Sequence, residues 1–272
     1  MDRSLAARAN RRARQSAPDI GPWLLGLGAG VVVVAVSLPV LLTLLMSVKS
    51  GSLTETGRIS LDFYRAAWAR ATSLQSLLNT LAFAAGSTAV ALLFGVPLAF
   101  IAARTDWRLR NWIFPLITVN LVIPVYLAAM AWTLLLSPRI GLINQLLMRL
   151  LGLRQAPLNI YGVPGMAFVQ GLPLASVAFF MLLGAFRNMS ATLEEAAYMA
   201  GVSKFKTFLR VDLPLVLPGA LGAAVYIFMI GMGSFEVPAI IGAPQHIYVL
   251  ATEIYLACLL YTSPSPRDRQ KS

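Results

Sequence analysis

The sequence predicts an all-α, polytopic transmembrane helical bundle with five complete spans and a truncated sixth. Three observations carry that expectation. Of the 272 residues, 58% are apolar and the mean hydropathy is +0.73. Only 12% are charged, about half the share that the surface of a soluble domain needs. Five stretches, residues 22–47, 77–103, 112–136, 162–186 and 213–235, contain no Asp, Glu, Lys or Arg and together make up nearly half the chain. Each exceeds the roughly 20 residues with which a helix crosses about 30 Å of hydrocarbon. In lipid, only a helix satisfies every backbone polar group within one isolated segment.

Taken in order, residues 1–18 carry Arg3, Arg8, Arg11, Arg12 and Arg14 and read as a disordered basic segment near anionic lipid. Span one is too long for a signal-peptide core and is followed by no small-residue cleavage site, so it is retained. Its Gly26 and Gly30 form a small-xxx-small pair that can seat another helix. Residues 61–72, with Phe63, Tyr64 and Trp68, read as a short interfacial helix, since aromatic rings favour the membrane boundary. In residues 140–153, Ile143, Leu146, Leu147, Leu150 and Leu151 share one helical face, while Asn144, Gln145 and Arg149 lie elsewhere, which predicts a second interfacial helix. Pro39, Pro97, Pro115, Pro124, Pro173 and Pro218 lie inside the spans. Each removes a helix donor and favours a kink. Residues 247–260 begin a sixth span that includes Glu253. It is too short to finish before a charged, proline-rich tail, residues 262–272, that looks non-native. The expected organisation is therefore a basic segment 1–18, a membrane domain 19–261 and that tail.

Twelve Lys and Arg lie in residues 1–21, 104–111 and 187–212, against seven in the slightly longer set of opposite loops. The positive-inside rule then puts the N-terminus and the 187–212 loop in the cytoplasm. The net charge of +11 is explained by these loops rather than by nucleic acid. One cysteine, Cys258, makes no intrachain disulfide, and one histidine, His246, makes no His-based metal site. None of the four lysines follows a glycine, so there is no phosphate loop. Ser234, between Gly233 and Phe235, reads as helix packing rather than a nucleophile. The five spans are read as free of the polar or ionisable groups on which membrane enzymes, ion-coupled carriers and proton pumps rely. The chain is expected to be no enzyme and to hold no cofactor or metal; if it moves a substrate, the energy comes from a partner.

The informative loop is residues 187–214. Thr192 followed by Glu195 has capping-box spacing and predicts a helix start. Ala196, Ala197 and Ala200 propagate that helix, Gly201 suits a left-handed joint, and Ser203 caps a second short helix with Lys204, Lys206 and Arg210 on a basic face. The sequence Glu195-Ala196-Ala197, three residues, Gly201, nine residues, Val211, one residue, Leu213-Pro214 resembles the loop of permease subunits of binding-protein-dependent ABC importers. Val211 stands where that family usually has Ile. The resemblance covers about residues 20–261. It implies a type I importer permease in a bacterial inner membrane whose loop is a pair of coupling helices docked in a cleft of a cytoplasmic ATP-binding subunit. It also implies two further partners, a second permease half and a periplasmic or extracellular substrate-binding protein.

Ile123-Pro-Val-Tyr126, Ala131-Trp132, residues 138–144 and residues 235–248 are similar to the iron(III) branch of that family. Relatives for polyamines, thiamine, phosphonates and sulfate share much of this wording. Glu236, at the outer end of span five, is a candidate for the translocation path. The readings from other classes are a secondary carrier and a membrane scaffold without transport.

Overall fold

A computed structural model describes residues 21–49, 59–61, 64–65, 71–108 and 110–262. The chain divides into two units, residues 1–70 and 71–272. The expectations for residues 1–18, for the tail from 263 on and for most of the interfacial helix at 61–72 lie outside the described residues.

In the first unit, α1 (Gly21–Val48) carries Pro39 without a break. The chain then returns on itself: Ile59 bridges Lys49, and the Ser47 and Tyr64 hydroxyls meet at 2.8 Å. A Cβ at Gly26 or Gly30 would meet nothing within 4 Å among the described residues.

The second unit contains α2 (Ala71–Arg104), α3 (Arg110–Val122), α4 (Val125–Leu136), α5 (Leu142–Leu151), α6 (Val163–Asn188), α7 (Ala191–Met199), α8 (Lys204–Thr207), α9 (Leu213–Gly233) and α10 (Leu250–Thr262). No strand occurs among the described residues. Helix α6 is the hub: 72% of its apolar stretch is buried, against 33% for α2 and 22% for the stretch ending in α9. Its packing on α2 rests on small residues. A Cβ on Gly95 would come within 2.5 Å of the Ala178 Cβ, one on Gly171 within 2.5 Å of the Val90 Cβ, and one on Gly86 within 2.8 Å of the Ala167 Cβ. Backbones this close gain dispersion energy where lipid offers no hydrophobic drive. Gly231 brings α9 against Ala84 of α2 in the same way. Hydroxyls along α2 return to carbonyls one turn back, Thr80 to Ser76 and Ser87 to Phe83, which hides them from the apolar surroundings. The start of α10 is pinned to α2, since Leu250 N–H donates to Thr80 Oγ1 and Asn79 Nδ2 donates to the Tyr248 carbonyl.

Two expectations need correction here. Residues 112–136 are not one continuous helix: α3 and α4 meet at a 100° bend at Ile123 and Pro124. Proline supplies no N–H to the helix ladder and disfavours helical geometry in the residue before it, so the first helix stops and a second begins with Pro124 as its N-cap. Pro97, Pro115, Pro173 and Pro218, by contrast, lie inside continuous helices. The second short helix of the 187–214 loop is not separate from span five either. From α8 the chain passes through a π-helical turn, Phe208–Asp212, straight into α9. Four helices, Leu24–Val48, Thr72–Arg104, Val163–Asn188 and Lys204–Gly233, are each long and apolar enough to cross a membrane, and the bent pair is a fifth if it crosses as one. The protein is a multi-pass membrane protein.

The helix expected at 140–153 is α5, and one of its polar residues turns inward. Leu142, Leu146, Leu150 and Leu151 are exposed, while Asn144 is only 1% exposed. Asn144 Nδ2 donates to the carbonyls of Leu136, Ser137 and Leu158, and its Oδ1 accepts from Leu158 N–H. One amide thus ties α4, α5 and the following loop together.

Candidate functional site

The site is built where α2 ends and the 187–214 loop lies. Helix α7 starts at Ala191 with Ser190 as N-cap, two residues earlier than the capping-box spacing implies. Thr192 is therefore already inside the first turn, where its hydroxyl meets that of Ser190 at 2.7 Å. The Thr192–Glu195 box does not form, and no side chain caps the helix.

The C-terminal end matches the expectation. Gly201 has φ 75°, in the left-handed region that glycine occupies without strain. Val202 N–H donates to the Ala197 carbonyl at 3.0 Å and Gly201 N–H to that of Tyr198 at 2.9 Å. These paired bonds are a Schellman motif, which satisfies the last carbonyls of α7 and turns the chain into α8. Ser203 is the N-cap of α8, as expected from its position, without a side-chain bond. Pro214 follows directly on the π-helical turn Phe208–Asp212, so it supplies no N–H to a helical run that is already under way.

Of the residues singled out in the loop, Glu195, Ala196, Gly201 and Pro214 are exposed, and Ala197 and Leu213 are half-buried. At the tip, Met199 is 89% and Phe205 71% exposed.

Beneath that surface lies a cluster that the sequence reading did not single out. Arg104, the last residue of α2, points its Nε at Glu194 Oε1 of α7 at 2.6 Å, and its Nη2 lies at the same distance from that oxygen. Both side chains are nearly buried, at 12% and 13% exposure. Asp212, 1% exposed, faces the same two groups from the π-helical turn. Among the described residues Arg104 Nη2 and Asp212 Oδ1 make no hydrogen bond. Tyr198 stands beside them; burial first, then the charges of Glu194 and Asp212, hold its hydroxyl above the usual tyrosine range. The sequence signal was available: Arg104 closes a charge-free run, and Asp212 sits alone before one.

The spans also hold more polar chemistry than expected, which corrects that part of the sequence reading. Asn120 Nδ2 donates to the Leu172 carbonyl and to Ser176 Oγ beside Pro173. The Ser234 hydroxyl donates to Gln170 Oε1, and Gln170 is only 4% exposed. Ser234 thus joins two helices and is not brought near His246 by any bond among the described residues. Glu236 is exposed just beyond α9 and makes no hydrogen bond or ion pair among the described residues. A cavity of about 440 Å³ at the Arg104 end includes Arg110, Asn111 and Arg187, and one of about 410 Å³ at the opposite end includes Arg139, Asn159, Tyr161 and Gln245. Among the described residues no three His, Cys, Asp or Glu side chains are grouped to hold a metal.

Residues 95–258 match the family described as binding-protein-dependent transport system inner membrane component. The ferric transport system permease protein FbpB of Actinobacillus pleuropneumoniae is 28% identical over 170 residues, which are 62% of this chain and 23% of that protein. The spermidine/putrescine transport system permease protein PotB of Escherichia coli is 27% identical over 64% of this chain and 62% of its own. The molybdenum transport system permease protein ModB of Mycobacterium bovis is 34% identical over 70% of this chain and 71% of its own. The chain thus spans about a quarter of the length of the ferric relative. A chain in the crystal structure of a bacterial ABC transporter that imports the acidic polysaccharide alginate shares the fold, with a TM-score of 0.69 at 18% identity over 90% of this chain and 86% of that one.

Proposed function

We propose that this chain, which belongs to the family of binding-protein-dependent transport system inner membrane components, is a permease component of an ABC importer. In this reading it contributes part of a translocation path, and a separate cytoplasmic ATPase drives it through Glu195, Ala196, Ala197, Gly201, Leu213 and Pro214. The observation that carries the reading is the form of residues 191–207. A short helix, Ala191–Met199, turns at a left-handed Gly201 into the start of the long helical run from Lys204, and Met199 and Phe205 stand exposed on either side of that turn. A rigid apolar projection of that kind suits a cleft in a partner. Its further partners are a second permease half and an external substrate-binding protein, and ATP hydrolysis belongs to the ATPase.

The orientation follows the charge distribution, with the N-terminus and the α7–α8 loop in the cytoplasm. For cargo, iron(III) is the first reading, supported by the ferric relative and by the segments at 123–126, 131–132, 138–144 and 235–248. The molybdenum and spermidine/putrescine relatives support an oxyanion or a polyamine instead. Glu236, exposed at the end of α9, is proposed to face the path.

A cysteine at position 199, in a Cys258→Ser background, tests the reading. In membranes holding the native partners it should cross-link to an ATP-binding subunit and to no external protein. Failure to capture any ATPase from a complex that still transports would overturn the assignment of this loop.

A further inference from the structure

Helix α7 is held to the rest of its unit by very little. Of its described side chains only Glu194 and Ala197 are withdrawn from solvent even in part, and alanine offers one methyl group. Glu194 is the exception in kind as well as in burial. It meets Arg104 at the end of α2 and Asp212 at the start of the helix that continues as α9. Three segments that are 90 and 18 residues apart in sequence therefore converge on one carboxylate. Buried ion pairs contribute little net stability compared with apolar side chains of similar size, because desolvation offsets their attraction. What they do supply is direction, since a guanidinium fork and a carboxylate hold only a narrow set of geometries. Arg104 pairs directly with Glu194, while Asp212 is joined to Glu194 by a side-chain hydrogen bond and feels the arginine through its charge, so Glu194 is the link between the two helices.

We propose that Arg104, Glu194 and Asp212 form an ionic joint through which a displacement of α7 is passed to α2 and to α9 together. The inference rests on the reading of α7 as the surface on which an ATPase acts. These three are positioning residues: none lies on the exposed face of α7 that a partner would touch. A push on Met199 has no other charged route into the two helices among the described residues.

The test uses spin labels at positions 107 and 199 in the full-length, Cys258→Ser protein assembled with its ATPase. Trp107, just past the end of α2, and Met199 are both exposed, so labels there leave the joint intact. The distance between them is measured without nucleotide and after trapping with ATP and vanadate. With the joint present, one narrow distribution should hold in both states while α7 shifts relative to the ATPase. Arg104→Gln should broaden it, and ATP hydrolysis coupled to transport should fall roughly fivefold or more. Exchanging the charges, Arg104→Glu with Glu194→Arg, should restore both, which a packing role would not allow. A narrow distribution and normal hydrolysis in Arg104→Gln would overturn the joint. Should that variant fail to accumulate, Glu194→Gln, which keeps the arginine, must broaden the distribution, and an unchanged width there overturns the joint equally. If the position-199 label shows no ATPase nearby in any state, the reading of α7 fails, whereas the narrow distribution in the permease alone still reports the joint.

Discussion

Replacing Gly201 separates the conformational demand of the loop from its contacts. The residue has φ 75°, and a Cβ built on it would meet nothing within 4 Å. Any cost of substitution therefore comes from the backbone and not from a clash. Moving an L-residue into the left-handed region costs about 1–2 kcal/mol, and a β-branched residue costs more because its side chain crowds the following carbonyl. Asparagine visits that region routinely. The order of damage should be Asn, then Ala, then Val. If the motif is weakened by about 1.4 kcal/mol, the population with its two closing bonds broken rises about tenfold. Hydrogen exchange of a peptide covering residues 197–207 reads this directly, since Val202 N–H and Gly201 N–H are the closing donors. The peptide should exchange about tenfold faster in Gly201→Ala and faster again in Gly201→Val. In complexes with the ATPase, uptake and transport-stimulated hydrolysis should fall together in Gly201→Val at near-normal abundance, with capture of substrate by the external protein unchanged. Equal exchange in all three variants would refute the conformational argument; normal uptake with faster exchange would refute its link to coupling.

Other consequences are open to test. Gly171→Val or Gly95→Val should lower abundance and thermal stability by a core-overpacking cost of about 1–3 kcal/mol, while Gly222→Ala, which faces open space, should leave both unchanged. Asn144→Leu strands the groups that this amide bonds, each buried unsatisfied group costing about 1–3 kcal/mol. Limited proteolysis should then cut within residues 137–158, and Asn144→Gln should not restore resistance. Cysteines at 139, 108 and 204 in a Cys258→Ser background report orientation. Position 139 should label in intact cells and the other two only after permeabilisation; the reverse pattern would overturn the charge-based topology.

How much of this was legible in the sequence depends on the range of the interaction. The apolar runs announced α1, α2, α6 and α9 because the bilayer imposes their length and composition locally. Gly201 announced its left-handed joint because a positive φ is a property of one residue. The broken third span was marked by Pro124, but proline alone does not say whether a helix bends or stops: Pro97 and Pro173 sit inside intact helices where neighbours hold the ladder. The capping box failed because the helix begins two residues earlier, with Ser190 as its N-cap, which places Thr192 inside the first turn. Asn144 looked like the polar face of an amphipathic helix, and only the folded loop shows that the apolar face is outside and the amide within. The Arg104, Glu194 and Asp212 convergence joins residues far apart in the chain, so no local pattern could assemble it.

The contact between Arg104 and Glu194 also fixes a parity. A chain that leaves one point and returns to it has traced a closed path, and a closed path pierces any unbroken sheet an even number of times. Between these two residues runs α6, which is long enough for a single passage. If α6 makes that passage, the bent pair α3 and α4, with the short α5 after it, supplies an odd number of passages, and neither half of the pair is long enough to make one unaided. Despite its 100° bend, the pair taken together has the length and composition of one span. In a pair that crosses as one, the elbow at Pro124 lies part-way through the bilayer, where only protein or water can satisfy the backbone groups of a helix end.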